Sequence, residues 1–157
     1  REPPRSETCG KTSSRKSHMW LYSTLVLIAA AADALPLAGY KTTYEVVKMG
    51  TGSEVVSKGA TVTVHATGIV AETSKKFWST KDAGQQPFTY QAGVGGVITG
   101  WDQGCLGMKL NEVRKLNIPA EEGYGKQGFP AWGIPPGGTL DFEIEVLKIV
   151  NKQKKEL

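Results

Sequence analysis

Thr139-Leu-Asp-Phe-Glu-Ile-Glu-Val146 alternates apolar and polar side chains without a break. In an extended chain successive side chains point to opposite faces, so Leu140, Phe142, Ile144 and Val146 share one side and Asp141, Glu143 and Glu145 the other. The stretch is a half-buried strand, and the acidic row on its far side reads as a solvated face rather than a cation site. Working outward, Ala60 to Val70 repeats the pattern with Val62, Val64 and Ala66 on one face. Arg114-Lys-Leu-Asn-Ile118 is a shorter strand that Pro119 stops, and Lys41 to Lys48 and Pro87 to Gln91 complete about five. One stretch is helical: from Val97 to Leu106, Ile98, Trp101 and Cys105 fall on one side. It contains Gly100 and Gly104, each unfavourable by roughly 1 kcal/mol relative to Ala, so packing on the sheet must hold it. The class expected is α+β, a small antiparallel sheet with one helix between residues 40 and 150.

The chain has 157 residues, room for one domain with trimming. With 39% hydrophobic and 22% charged residues it has the composition of a folding chain, not of a disordered one. Its formal charge is +4, but residues 1–34 hold five of the 19 basic and three of the 15 acidic side chains. The remainder therefore carries 14 against 12, only +2. So weak an excess, without a basic cluster interleaved with aromatics, argues against a nucleic-acid partner. Two cysteines, Cys9 and Cys105, exclude a disulfide framework.

The ends read as sorting information. No residue between Lys16 and Asp33 is formally charged, and Trp20 to Ala32 is apolar apart from Ser23 and Thr24. That is too short for a bilayer span of about 20 residues, so no stable membrane insertion is expected. It matches the apolar region of a signal peptide over residues 19–34, with Met19 as start and Ala32-Asp33-Ala34 as cleavage site before Leu35. An uncleaved anchor or a short core helix is the bland alternative. Residues 1–18, polar and without periodicity, are either untranslated leader or an extended n-region. In the polar tail, residues 151–157, Lys154-Lys155-Glu156-Leu157 resembles the Lys-Asp-Glu-Leu retrieval signal. Together the two ends give one expected address, the lumen of the endoplasmic reticulum. No Asn-x-Ser/Thr acceptor occurs, so no N-glycan is expected there.

Common catalytic chemistries find no footing. His18 and His65 are the only histidines, which leaves no His-based metal site or charge relay in a chain that loses its leader. His65 reads as a side chain on the outer sheet face. Gly93-Val-Gly-Gly96 lacks the Lys-Ser/Thr of a phosphate loop. Cys105 reads as a small buried hydrophobe. What remains is a set of aromatics in the loops and helix: Phe77, Trp78, Phe88, Trp101, Tyr124, Phe129 and Trp132, with Phe142 on the last strand. Many lie beside Gly and Pro, where the backbone is irregular, and the run 119–138 is a long loop of the kind that usually carries function. A concave apolar pocket is the expected site.

The same residues carry a family resemblance. Val64-His-Ala-Thr-Gly68, Lys75-Lys-Phe77, Pro87-Phe88, Val97-Ile-Thr-Gly-Trp101, Gly123-Tyr-Gly125 and Ile134-Pro-Pro-Gly-Gly-Thr-Leu140 stand in the order of the FKBP-type peptidyl-prolyl cis-trans isomerases. These are the tacrolimus- and rapamycin-binding immunophilins, and the terminal signals resemble the secretory-pathway type. The resemblance implies a twisted antiparallel sheet wrapped around one short helix. It implies a proline pocket with Trp101 as its base, walled by Phe77, Phe88, Val97, Ile98, Ile134 and Phe142. Tyr124 would offer its hydroxyl to the substrate carbonyl, and Phe129 and Trp132 would overhang the pocket. Catalytic roles fall to Tyr124, Trp101, Phe77 and Phe142, and no metal or cofactor is implied. The implied ligands are proline-containing polypeptides and macrolide immunosuppressants, and the protein is expected to be a monomer.

The departures are concentrated at one wall. Where the family commonly has Tyr, Asp and Arg, the matching positions here are Ala66, Trp78 and approximately Ala83. The loop after Phe77 is one residue longer, which makes Lys81 and Asp82 the candidates to compensate. Two readings stand: an isomerase assisting the folding of secretory proteins, or a non-catalytic proline-peptide-binding chaperone or scaffold module.

Overall fold

A computed structural model describes residues 33–152. Residues 1–32 and 153–157, which carry most of the expected address, lie outside them. Nine strands and one α-helix follow in the order β1 (Leu35–Pro36), β2 (Thr43–Lys48), β3 (Thr51–Val55), β4 (Thr61–Val70), β5 (Lys75–Ser79), β6 (Phe88–Gln91), α1 (Thr99–Gly104), β7 (Lys109–Leu110), β8 (Val113–Ile118) and β9 (Leu140–Val150). Seven strands form one antiparallel sheet in the order β1-β2-β8-β9-β4-β5, with β6 also pairing β4, and β3 and β7 pair separately. The five strands expected from alternation are all present. The four others escaped because two are only two residues long, β3 is exposed along its whole length, and β5 contains an irregularity.

The alternation does what its period requires. Along β4 the even-numbered residues from Val62 to Val70 are buried and the odd ones half-exposed, while β9 buries Leu140, Phe142, Ile144 and Val146. Both strands contribute their apolar rows to one core, which Trp101, Cys105, Leu116 and Ile118 complete. The acidic face of β9 is on the solvent side, where Asp141 accepts a hydrogen bond from Asn117 and Glu145 pairs with Lys81. Among the described residues no helix is long and apolar enough to cross a membrane.

Helix α1 is one and a half turns long, shorter than the pattern suggested, and packing holds it. Gly100 is the reason it can lie so close to β8: a Cβ there would come within 2.5 Å of Ile118 Cγ2 and Thr42 Oγ1. The intrinsic cost of a helical glycine is therefore offset by the contact it permits. At the C-terminal end, the buried Arg114 guanidinium donates to the Gly104 carbonyl at 2.8 Å and to the Leu106 carbonyl at 3.4 Å. It is fixed by the Glu112 carboxylate, 2.6 Å away, and lies over the Tyr44 ring, so the last helical carbonyls are not left unpaired. Near the start of the helix, Glu122 accepts from the Lys41 and Thr42 backbone N–H groups and from the Thr42 hydroxyl. Partial burial works against its charge, but those hydrogen bonds outweigh it and hold the carboxyl below the usual range. This clamp secures the segment that carries Tyr124.

Candidate functional site

A bulge in the edge strand builds the pocket wall. Gly68 pairs with Trp78 and Ile69 with Lys76, which leaves Phe77 as an extra residue on β5. Two consecutive aromatics can then reach the inner side of the sheet, which strict alternation would forbid. Gly68 makes this possible from the partner strand, because a Cβ there would collide with the Phe77 ring and approach Phe142 Cε1 to 2.7 Å. Phe77 meets Phe142 edge-on at 5.6 Å between ring centroids, and Trp78 lies 6.2 Å from both Phe88 and Trp101.

Trp101 is 4% exposed and is the centre of the cluster. Its ring lies 4.8 Å from Phe142, 5.9 Å from Phe88 and 6.1 Å from Tyr90, all at steep angles. Such edge-to-face pairs set the positive ring edge against the negative face. The long loop closes the other side. Phe129 and Ile134 exchange backbone hydrogen bonds and the Gly137 N–H reaches the Gly125 carbonyl, so three short 3-10 turns hold a fixed shape. They bring Trp132 parallel to Trp78 at 6.4 Å, and set Tyr124 against Phe129 and Trp132.

The result is a cavity of about 290 Å³ lined by Trp78, Phe88, Gly96, Val97, Ile98, Trp101, Tyr124, Trp132 and Phe142. Three expected site residues, two of the wall and one of the overhang, are not on its surface. Phe77 is covered by the Trp132 ring, stacked on it at 6.1 Å, and Ile134 is buried in the core beneath the loop. Phe129 packs on the outer side of Tyr124 and Trp132, where it is 37% exposed. Each supports a lining residue instead of forming the lining.

No lining residue carries a formal charge, and the expected compensation by the longer loop does not occur. Lys81 pairs with Glu145 and Lys76 with Asp82, on the outer surface, and Ala83 is exposed. Beside this wall, polar side chains stitch the strands together. Thr80, buried, accepts the Ala66 N–H at 2.9 Å, and its hydroxyl lies 3.0 Å from His65 Nδ1. The Ser79 hydroxyl lies 2.8 Å from that of Thr67. The sequence carried no periodic signal for Ser79 and Thr80.

Asp102 carried no motif signal either. Its carboxylate, 2% exposed, accepts the Gly93 and Gly95 N–H groups at 2.8 and 2.9 Å. The glycine run discounted as a phosphate loop is thus an anchored turn that presents Gly96 and Val97 to the cleft. Only its place one residue after Trp101 could have pointed to Asp102. The Tyr124 hydroxyl makes no hydrogen bond with another described residue, and burial pushes its ionisation up. It therefore stays protonated, a donor at the cleft mouth. Among the described residues no three His, Cys, Asp or Glu side chains gather as a metal-holding group. A larger and more open depression of about 400 Å³ lies on the solvent face of the sheet, with Glu45, Lys115, Asp141 and Glu143 in its walls. Charged side chains stand in its walls and none in the smaller aromatic cleft, which is therefore the better match for an apolar ring.

Comparison with known proteins agrees with this geometry. The sequence model for FKBP-type peptidyl-prolyl cis-trans isomerase matches residues 52–147. The chain is similar to a peptidyl-prolyl cis-trans isomerase FKBP12 of Vicia faba, 53% identical over 106 residues that cover 66% of this chain and 94% of the relative. A protein of the same description from Arabidopsis thaliana is 51% identical over 107 residues, covering 67% and 95%. An FK506-binding protein 2B of Rhizopus delemar is 41% identical over 127 residues, covering 78% of this chain and 59% of the relative. Among solved structures, the three FKBP domains of wheat FKBP73 match with a TM-score of 0.65 at 33% identity, over 71% of this chain and 47% of that one.

Proposed function

This chain belongs to the family of FKBP-type peptidyl-prolyl cis-trans isomerases, and we propose that the cleft between Trp78, Trp101, Tyr124 and Trp132 is where it isomerises X-Pro bonds. The observation that carries this reading is an uncharged aromatic cavity with one uncommitted hydroxyl donor. Rotation about a peptide bond is opposed by roughly 18–20 kcal/mol, because twisting destroys C–N double-bond character. X-Pro bonds still take tens to hundreds of seconds, on the order of a rate-limiting folding step. The planar amide owes its stability to a charge-separated resonance form. Surroundings without charges or water disfavour that form, so they lower the barrier with no covalent step.

The proline ring rests on the Trp101 indole, with Phe88, Val97, Ile98 and Phe142 around it, and Tyr124 donates to the substrate carbonyl. Trp78 and Trp132 hold the residues flanking proline, with Phe77, Phe129 and Ile134 supporting them from behind. Substrates are proline-containing polypeptides. The Rhizopus delemar relative has FK506-binding in its name, which supports macrolides as a second ligand class for the same cleft. The purified chain is expected to accelerate the slow, proline-limited phase of refolding of a test protein. Binding of a proline peptide without acceleration would instead identify a non-catalytic module.

The address is part of the proposal. An uncharged apolar run before Asp33 and the final Lys154-Lys155-Glu156-Leu157 support a luminal, folding-assisting role in the endoplasmic reticulum. Deleting the last four residues should move the protein into the medium of expressing cells. Mass analysis of the retained protein should find its start near Leu35, and a soluble product that keeps residues 19–34 would overturn this part.

A further inference from the structure

Beneath the cleft, three side chains with polar atoms, Tyr90, Trp101 and Cys105, share one buried apolar cluster. Tyr90 on β6 is 7% exposed and Trp101 4%, and neither the Tyr90 hydroxyl nor Trp101 Nε1 has a hydrogen-bond partner among the described residues. Cys105, one helical turn after Trp101 and fully buried, completes the group. The Tyr90 and Trp101 rings stand at 88° with centroids 6.1 Å apart, and Cys105 belongs to the same buried cluster.

Phenylalanine in place of Tyr90 would fill the same space without an unpaired hydroxyl, which is destabilising when buried. A polar group kept at that cost in the layer supporting the cleft calls for a role, and its neighbours suggest which. The indole N–H can only donate, a phenol can accept and donate, and a thiol accepts weakly. Burial raises the Tyr90 ionisation and pushes the Cys105 thiol up to about 12, so all three groups stay neutral.

We propose that Tyr90 is a positioning residue for the substrate-loaded cleft: its hydroxyl accepts from Trp101 Nε1 and donates to Cys105 Sγ, fixing the tilt of the indole on which proline turns. In the empty cleft this chain stands open, and the pressure of the proline ring on the indole closes it. The two bonds therefore form where they favour the reacting complex over the free protein. The inference rests on the reading of this cleft as the isomerase site.

The test uses the full chain and three substitutions, with isomerisation kinetics and the Trp101 indole N–H resonance followed during titration with a proline peptide. Tyr90→Phe should lower kcat by about three- to tenfold, the worth of one hydrogen bond, with KM changed by less than about twofold. Its melting temperature should hold or rise, because an unpaired hydroxyl has been removed. Cys105→Val should reproduce the kinetic loss, and Cys105→Ser, which keeps an acceptor, should restore most of it. The peptide-induced shift of the indole resonance should shrink in Tyr90→Phe. Unchanged kcat in Tyr90→Phe, or a loss that only follows a fall in melting temperature, would overturn the proposal. A parent chain that does not accelerate refolding would overturn the isomerase reading instead, and the indole shift would still decide the role of Tyr90.

Discussion

Trp101→Leu should fold and lose most of its isomerase activity, with kcat/KM down at least about tenfold, equivalent to about 1.4 kcal/mol of transition-state stabilisation. The indole is nearly inaccessible and touches Phe142, Phe88, Trp78 and Tyr90, so it is at once the base of the cleft and part of the core. Trp101→Ala would mix the two roles. Truncating a buried aromatic costs about 3–5 kcal/mol, a large part of the 5–15 kcal/mol that holds a domain together. Leucine keeps the site filled with hydrocarbon but removes the flat surface and the edge contacts. Thermal melts should show a modest loss of stability beside the large loss of turnover, and binding of a proline peptide should weaken in parallel. A folded Trp101→Leu protein with full turnover and full binding would mean that the indole serves the core alone and that the site lies elsewhere.

How much of this could be read beforehand depends on whether a residue obeys a period. The rows of β4 and β9 were legible because each strand has one wet and one dry face, and Phe142 came with them. The helix was legible as a face but not in length, since its ends are set by Arg114 and by the fit of Gly100 against Ile118, partners distant in sequence. β5 was invisible as a strand because the bulge at Phe77 breaks alternation at the point where the site needs two aromatics in a row. The aromatic composition of the cleft was plain, but not its layering. That Trp132 shields Phe77, and that Phe129 packs outside Tyr124, follow from a loop conformation fixed by backbone bonds between Phe129 and Ile134. Asp102 accepts from the Gly93 and Gly95 N–H groups and Thr80 from that of Ala66, and every residue type but proline offers such a donor, so these bonds leave no mark on the partner's sequence.

Trp78→Asp is the sharpest test of how the cleft works, because it puts a carboxylate where the family commonly has one without supplying its partners. The indole lies among Phe88, Trp101 and Trp132, and an aromatic side chain of this kind buries about 150–250 Å². Replacing it removes that wall and leaves an acid facing hydrocarbon. The cations that could have met it are engaged elsewhere, Lys76 with Asp82 and Lys81 with Glu145, and Ala66 and Ala83 offer no hydroxyl or guanidinium. A buried polar group without a partner costs about 1–3 kcal/mol, more when charged, so the new carboxyl should take up a proton or draw water into the cleft. Either response wets a site whose effect on the amide depends on being dry, and turnover should fall about tenfold or more. Trp78→Phe, which keeps the cleft aromatic and neutral, should retain most of the activity. Measured on one peptide series, parent and Trp78→Phe should favour bulky apolar residues before proline, and Trp78→Asp should lose that preference along with its rate. A large gain in turnover from Trp78→Asp alone would show that the carboxylate, not the dry aromatic wall, limits catalysis, and that the natural indole marks a binding module that had given up turnover.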